Sequence, residues 1–185
     1  MRPIVSVLLP IGLGLTAPAQ AQIVVLGESP AARCFQHTAA GRSDRSALAV
    51  CDRAVETTTL PRGDRAASFV NRGILLMRRG DSEAALASYD TAEQMGLDAP
   101  ASLALNRSSA LIRLSRFSEA IEQADLVIRL GEHNLPEAWF NRGVALEFMG
   151  ELEPAYRAYA RALELRPDWP LAQREVDRFT VQRES

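Results

Sequence analysis

An internal repeat of 35 residues is the feature that most restricts what this chain can fold into. Asn71-Arg72-Gly73 returns as Asn106-Arg107-Ser108 and again as Asn141-Arg142-Gly143. Other positions return in the same register, namely Leu76, Leu111 and Leu146, then Gly80, Ser115 and Gly150, and then Ala85, Ala120 and Ala155. A fixed period of this length indicates stacked copies of one unit, each covering the apolar face of the next.

Each repeat predicts two helices. The first helices are expected over residues 65–79, 100–114 and 136–149, and the second over 81–95, 118–130 and 151–166. Gly80 and Gly150 suit the left-handed conformation that ends a helix. Asp81 and Ser118 are predicted N-caps, because their side chains can accept hydrogen bonds from unpaired N–H groups.

Small residues recur in the middle of the predicted first helices, at Gly73, Ser108 and Gly143. A helical glycine costs about 1 kcal/mol in propensity, so we expect a facing helix to approach too closely for a side chain. The matching small residues opposite would be Ala85, Ala120 and Ala155. The middle repeat has Ala124 where its neighbours have tyrosine, so its packing is predicted to differ.

These residues resemble the tetratricopeptide repeat (TPR) family, whose pattern combines aromatic, small and alanine positions with a final proline. The third repeat matches the pattern best, through Trp139, Gly143, Leu146, Ala155, Tyr159, Ala162 and Pro167. The resemblance implies an all-α, right-handed α-solenoid of TPR helical hairpins. Three clear repeats are expected, over residues 63–97, 98–132 and 133–167.

Both flanks of the repeats predict caps that cover the ends of the solenoid. Residues 30–62 are expected to form a degenerate N-terminal helical pair, joined to the repeats by a loop over 57–63. Residues 168–185 are expected to form a C-terminal capping helix. Its inward side chains would be Leu171, Val176 and Phe179.

The N-terminus has the three parts of an export signal. Arg2 is a minimal positive segment, residues 4–15 are apolar, and Ala19-Gln20-Ala21 is a small-x-small cleavage motif. The sequence therefore predicts a signal peptide over 1–21, cleaved after Ala21, and a periplasmic or secreted protein. Residues 22–29 would then form an apolar N-terminal arm. No later stretch is apolar for the ~20 residues that a transmembrane helix needs.

Cys34 and Cys51 flank a turn at residues 41–44, so they would lie at equal height on facing helices. Because an exported protein meets an oxidising environment, this placement favours a disulfide. Two free buried cysteines are the alternative. A zinc site is disfavoured, since zinc prefers four ligands and no histidine has suitable spacing.

The sequence contains no catalytic constellation and predicts a non-enzymatic protein without cofactor or metal. His37 and His133 lack a paired nucleophile, and phosphate-binding loops and metalloprotease motifs are missing. The formal net charge of −2 provides no basic field for nucleic acid.

The resemblance implies that the first helices line a concave surface that binds a protein or peptide partner. The lining residues would be Val70, Asn71, Ile74, Met77, Leu105, Asn106, Ser109, Ile112, Glu137, Phe140, Asn141, Val144 and Glu147. One hypothesis is that the three asparagines bind a ligand backbone, while Val70, Leu105 and Phe140 hold its apolar side chains. The alternative is that these apolar residues pack between helices. The family's clamp for C-terminal carboxylates is poorly supported, because its basic residues are missing here.

Two functions from different classes remain open at this point. The first is a periplasmic adaptor or assembly factor that holds a protein or peptide partner. The second is a self-associating structural protein, whose groove is filled by another copy or by its own arm. The recurring arginines are expected to be structural, with Arg72 paired to Asp90 and Arg107 to Asp125. Arg142 would have no such partner, because Ala160 replaces the acid.

Overall fold

The computed structural model describes residues 29–131 and 135–184, and side chains up to Phe179. These residues form helices and connecting turns, without strands. The helices are α1 (Pro30–Ala39), α2 (Arg45–Glu56), α3 (Arg62–Arg79), α4 (Ser82–Gln94), α5 (Pro100–Arg113), α6 (Phe117–Leu130), α7 (Leu135–Phe148), α8 (Leu152–Leu165) and α9 (Pro170–Glu184). Within these ranges, each helix is too short or too polar to cross a membrane. The predicted signal and arm, residues 1–28, lie outside the described residues, as does His133.

The helices form four antiparallel pairs and a final helix, which stack into the predicted right-handed solenoid. The inner helices α1, α3, α5 and α7 contact one another in sequence. Among the described residues, the outer helices α2, α4, α6 and α8 make no comparable contacts with each other. Because the outer row is spread more widely than the inner row, the inner helices line the concave surface and grooves open between the outer helices.

The N-terminal pair is held by a disulfide and a capped turn. Cys34 and Cys51 are bridged with a Cα–Cα distance of 4.7 Å, and both are fully buried. The Asp44 carboxylate accepts hydrogen bonds from the backbone N–H groups of Ser46 and Ala47 at the start of α2. The hydrogen bond from Arg42 is the largest of several that lower the pKa of Asp44 well below its usual range. The structure therefore contains the expected bridge rather than two free thiols.

The helical glycines make room for tyrosine rings, which differs from the expected close approach of a facing helix. A Cβ on Gly143 would lie 2.8 Å from ring atoms of Tyr159, and a Cβ on Gly73 would overlap the ring of Tyr89. Both tyrosines are only 1% exposed. The glycine is therefore required by an aromatic ring of the outer helix rather than by its backbone.

The middle repeat fills the space between its two helices without an aromatic ring, as predicted from Ala124. Ser108 is fully buried and donates a hydrogen bond of 3.0 Å to the carbonyl oxygen of Ala120. Ser115 has φ of +59° where Gly80 and Gly150 have +90° and +82°. A side chain in this left-handed region is strained by roughly 1 kcal/mol, so the middle repeat ends its inner helix less favourably.

Three local predictions were wrong. Ser118 is not an N-cap, because α6 begins one residue earlier and its N-cap Arg116 forms no side-chain capping bond. The loop over 57–63 is shorter than expected, because α3 already begins at Arg62. Leu171 is 37% exposed, and the buried face of α9 instead follows Ala172, Val176 and Phe179. Those three residues have the i, i+4, i+7 spacing of one helical face, from which Leu171 is offset by one position.

The arginine pairs connect each repeat to the one before it, so the predicted partners were also wrong. Arg72 binds Asp52 at 2.7 Å, Arg107 binds Asp90 at 2.9 Å, and Arg142 binds Asp125 at 2.8 Å. The predicted pairs lay within one repeat and left Arg142 without an acid. Each guanidinium instead reaches from an inner helix to the outer helix of the preceding pair.

Candidate partner-binding surface

The predicted binding residues lie on the inner helices α3, α5 and α7, and each is half-buried. They are Val70, Asn71, Ile74, Met77, Leu105, Asn106, Ser109, Ile112, Phe140, Asn141, Val144 and Glu147. Inner helices of successive repeats contact each other, so these side chains form one continuous row. The row is partly accessible along its length, and its members differ in what already contacts them.

Much of the apolar part of the row packs between helices. Val70, Ile74, Met77 and Ile112 pack against the core that joins the first two repeats. Leu105 packs against the smaller cluster around Val127. These contacts hold the inner helices together and leave only part of each side chain available to a ligand.

The asparagines of the row differ in their surroundings. Asn141 donates a hydrogen bond of 2.9 Å to the Ser109 hydroxyl, which in turn donates to the carbonyl oxygen of Leu105. Asn71 instead lines an open pocket at the N-terminal end of the row. The three amides are therefore not equivalent as backbone-binding groups.

The C-terminal end of the row is occupied by the protein itself. Phe140 contacts the rings of Tyr159 and Trp169, with centroid distances of 5.3 Å and 5.0 Å. Glu147 accepts a 2.9 Å hydrogen bond from the Tyr159 hydroxyl and pairs with Arg178 of α9 at 2.7 Å. Burial, together with this bond to a carboxylate, raises the pKa of Tyr159 well above its usual value.

Glu137 is similarly engaged near the start of α7. Its Oε1 pairs with Arg166 at 2.6 Å, and Arg166 also lies 4.9 Å from the ring centroid of Trp169. The two acids expected to face a ligand in the third repeat therefore fasten α9 and the segment before it. Both acids therefore have a structural role, and the part of the concave surface that is open to a ligand lies elsewhere.

An open pocket of about 290 Å³ lies at the opposite end, between α1 and α3. It is lined by Ser29, Ala31, Ala32, Phe35, Asp64, Ala67, Ser68 and Asn71. Phe35 is 60% exposed, which is unusual for an aromatic ring beside the fully buried Cys34. The pocket combines small apolar walls with one amide and one carboxylate, the combination expected of a peptide-binding cleft.

Sequence reasoning missed the contribution of α1 to this surface. The N-terminal pair was interpreted as a cap, so Phe35, Asp64 and Ala67 were not included among the binding residues. The available signal was Phe35, a large aromatic residue directly after a cysteine predicted to be buried. On a helix, consecutive residues point in different directions, so a buried Cys34 implies an outward Phe35.

The sequence profile of the tetratricopeptide repeat family matches residues 136–168. That segment covers α7, α8 and the turn that leads to α9, and the other helical pairs have the same arrangement. This segment is a tetratricopeptide repeat, and the chain has the fold of tetratricopeptide repeat proteins. Within the described residues, no three potential metal ligands are grouped together.

The sequence also resembles part of a larger protein. It is 32% identical over 88 residues to the peptidyl-prolyl cis-trans isomerase FKBP42 of Arabidopsis thaliana, covering 48% of this chain and 24% of the relative. The chain thus spans about a quarter of that relative's length.

Two solved structures extend the comparison. The second TPR domain of human RPAP3, in complex with an HSP70 peptide, is 26% identical with a TM-score of 0.57, covering 65% of this chain and 98% of the domain. MamA from Desulfovibrio magneticus RS-1 has a TM-score of 0.66 at 15% identity, covering 82% of this chain and 81% of MamA. The first likeness includes a domain with a bound peptide, and the second concerns the fold alone.

Proposed function

We propose that this protein is an exported, non-catalytic adaptor that binds a peptide or an extended protein segment on its concave surface. The observation that carries the proposal is the contrast between the two ends of that surface. The C-terminal end is filled by Phe140, Trp169 and α9, whereas the N-terminal end has an open pocket beside Asn71. A ligand would enter this pocket and continue along the inner helices.

The pocket walls define the chemistry of the ligand. Phe35 and Ala67 would contact an apolar side chain, and the Asn71 amide can both donate to and accept from a peptide backbone. Asp64 places a carboxylate at the same opening. Because like charges at an interface repel, the ligand would be neutral or basic at this point.

This ligand would differ from the one in the RPAP3 structure. The HSP70 peptide bound there, SGPTIEEVD, is acidic at its C-terminus. The inner helices here offer amides at Asn71, Asn106 and Asn141 but no lysine. These residues support a peptide ligand on the inner helices whose charge differs from that of the HSP70 peptide.

Export is the second part of the proposal. It is supported by the predicted signal peptide over residues 1–21. The Cys34–Cys51 bridge is also typical of proteins that function in an oxidising compartment. Cell fractionation of a tagged full-length chain tests this part separately. A periplasmic or secreted product beginning at Gln22 is expected, and a cytoplasmic product with an intact N-terminus would contradict it.

Crosslinking tests the adaptor part. A photoreactive phenylalanine analogue replaces Phe35 in the full-length chain, and crosslinked products are isolated from periplasm and identified by mass spectrometry. We expect a discrete partner whose yield falls at least about tenfold when Asn71→Ala is added, because the amide bonds to the backbone are lost.

Matched controls distinguish specific binding in the pocket from nonspecific crosslinking. The same analogue at the exposed Arg129 of α6 should not capture this partner, and Asn141→Ala should lower the yield much less than Asn71→Ala. Crosslinks confined to the chain's own residues 22–28, or to a second copy, would replace the adaptor with the self-associating alternative. An unchanged yield with Asn71→Ala would contradict the assignment of the pocket.

A further inference from the structure

The outer face contains a groove of about 520 Å³ between α4 and α6. Leu86, Leu111 and Leu126 supply apolar side chains to it. Its charged lining is mainly acidic, with Glu83, Asp90, Glu93, Glu119 and Glu122. The groove exists because the outer helices of neighbouring repeats are spread apart. It will be called the acidic groove.

The acidic groove keeps unbalanced charge after its internal pairs are considered. Arg107 pairs with both Asp90 and Glu93, at 2.9 Å and 2.8 Å, and Arg116 pairs with Glu119 at 2.6 Å. Glu83 and Glu122 form no ion pair within the part of the chain that the structure describes. The hydrogen bond with Glu119, reinforced by the charges of Glu83 and Asp90, raises the pKa of Arg116. The carboxylates therefore produce a negative potential across the opening.

The equivalent positions one repeat later have the opposite character. A shift of 35 residues replaces Glu119 by Pro154, Glu122 by Arg157 and Leu126 by Arg161. Arg157 and Arg161 line a second outer groove of about 460 Å³, together with Trp139 and Arg142. No carboxylate is among its lining residues. It will be called the arginine groove.

The arginines of this groove are available for exchange. Arg157 pairs with Glu153 and Arg161 with Glu164, but the side chains in these pairs are 50–69% exposed. Exposed ion pairs of this kind contribute little to stability. A partner that offers carboxylates and an apolar surface can therefore replace them at little cost.

We infer that two copies of this protein associate through their outer faces, with the acidic groove of each copy receiving the exposed Arg157 and Arg161 side chains at the arginine groove of the other. The two grooves are adjacent, one repeat apart, on the same face. A twofold axis that passes near α6 would bring both complementary contacts together, as closed homodimers require. The concave surface would remain free for its ligand in both copies.

Sedimentation velocity and equilibrium of the mature chain test this inference. The wild-type protein is expected to form a dimer at roughly micromolar concentration, weakened by salt because its contacts are charged. Glu119→Arg/Glu122→Arg makes both grooves positive, and Arg157→Glu/Arg161→Glu makes both negative. Each double variant alone should associate at least about tenfold more weakly than the wild type.

An equimolar mixture of the two double variants gives the decisive result. In the mixed pair, each positive groove meets a negative one at both contacts, so the heterodimer should form although neither homodimer does. Arg33→Glu/Arg45→Glu and Glu56→Arg/Asp98→Arg change net charge equally at exposed positions outside the grooves, and both should remain dimeric. Circular dichroism checks that all four variants fold.

Three outcomes would overturn the inference. They are a monomeric wild type across the concentration range, double variants that dimerise as well as the wild type, and a mixture that stays monomeric. Asn71→Ala should leave the mass unchanged. A loss of the dimer in that variant would instead indicate association through the concave surface, which is the alternative to the adaptor function.

Discussion

The middle repeat and its two neighbours show two ways of filling the same space between helices. The neighbours place a tyrosine ring of the outer helix against a glycine of the inner helix. The middle repeat instead has Ala124 opposite Ser108, whose hydroxyl bonds to the Ala120 carbonyl. The difference teaches that the two positions are filled as a pair in each repeat. A tyrosine ring on the outer helix requires a glycine on the inner helix, and a serine on the inner helix requires that the ring be absent.

The first and third repeats are also better terminated than the middle one. Gly80 and Gly150 end their inner helices in a conformation that glycine adopts without strain, whereas Ser115 adopts it with a side chain. The middle repeat therefore has less aromatic packing and a strained turn. We expect it to be the weakest of the three, with its stability supplied by neighbours on both sides.

The largest effect should come from exchanging one kind of pair for the other in the third repeat. Tyr159→Ala should lower the free energy of unfolding by about 3–5 kcal/mol through the cavity it leaves. Gly143→Ser should lower it by about 1–3 kcal/mol through overlap with the ring. The double variant recreates the middle-repeat pair, so its loss should be smaller than the sum of the two, measured by urea unfolding. Strict additivity would show that the two positions do not pack as a pair.

Alkaline pH should lower the stability of the protein through the first and third repeats, whose cores contain a tyrosine, and not through the core of the middle repeat. Burial raises the pKa of Tyr89 and of Tyr159, so the folded state keeps both neutral while the unfolded chain ionises near pH 10. Stability is therefore fully present below pH 10 and falls as pH rises above it, by up to about 1 kcal/mol per tyrosine one pH unit higher.

Phenylalanine substitutions isolate this alkaline effect. The free energy of unfolding is measured from pH 8 to pH 11 for the wild type and for Tyr89→Phe/Tyr159→Phe. The double variant should lose the added slope above pH 10, whatever its stability at neutral pH. Parallel profiles for the two proteins would mean that other groups control alkaline unfolding.

The smallest effect should come from the turn of the middle repeat. Ser115→Gly should raise the midpoint of thermal unfolding, corresponding to a gain of about 0.5–1 kcal/mol. Glycine has no Cβ, so it adopts φ of +59° without the strain that a serine side chain causes. Gly150→Ser provides the reciprocal control and should lower stability by a similar amount. Equal and unfavourable effects of both substitutions would show that Ser115 is not strained.

The sequence predicted the parts of this fold that repeat. The 35-residue period located the helical pairs of the three repeats to within a few residues, and the left-handed turns at Gly80 and Gly150 followed from residue type. The Cys34–Cys51 bridge was predicted from the symmetry of the cysteines about a turn. These features depend on local spacing, which is visible in a single sequence.

The features that it did not predict depend on how repeats stack. Arg142 was expected to lack a partner, because pairing was considered only within a repeat, whereas stacking brings Asp125 beside it. The pocket at Phe35 was missed because it forms between α1 and α3, which belong to different pairs. The occupation of Phe140 by Trp169 likewise depends on where the chain turns after α8. Contacts between different helical pairs depend on tertiary structure, and the period of the sequence does not predict them.

The arginine pairs give the solenoid a direction. In the three pairs between repeats, Arg72–Asp52, Arg107–Asp90 and Arg142–Asp125, the carboxylate precedes the guanidinium in the chain. The carboxylate is also the more exposed partner in each, as in Arg107 at 13% against Asp90 at 57%. As the chain emerges from its N-terminus, an unfinished molecule exposes only a carboxylate that water can solvate, and never a guanidinium left without its acid. Each newly made repeat then supplies the arginine that pairs with the carboxylate of the repeat before it. If the chain grew from the opposite end, the more buried arginine would be left unpaired at every step.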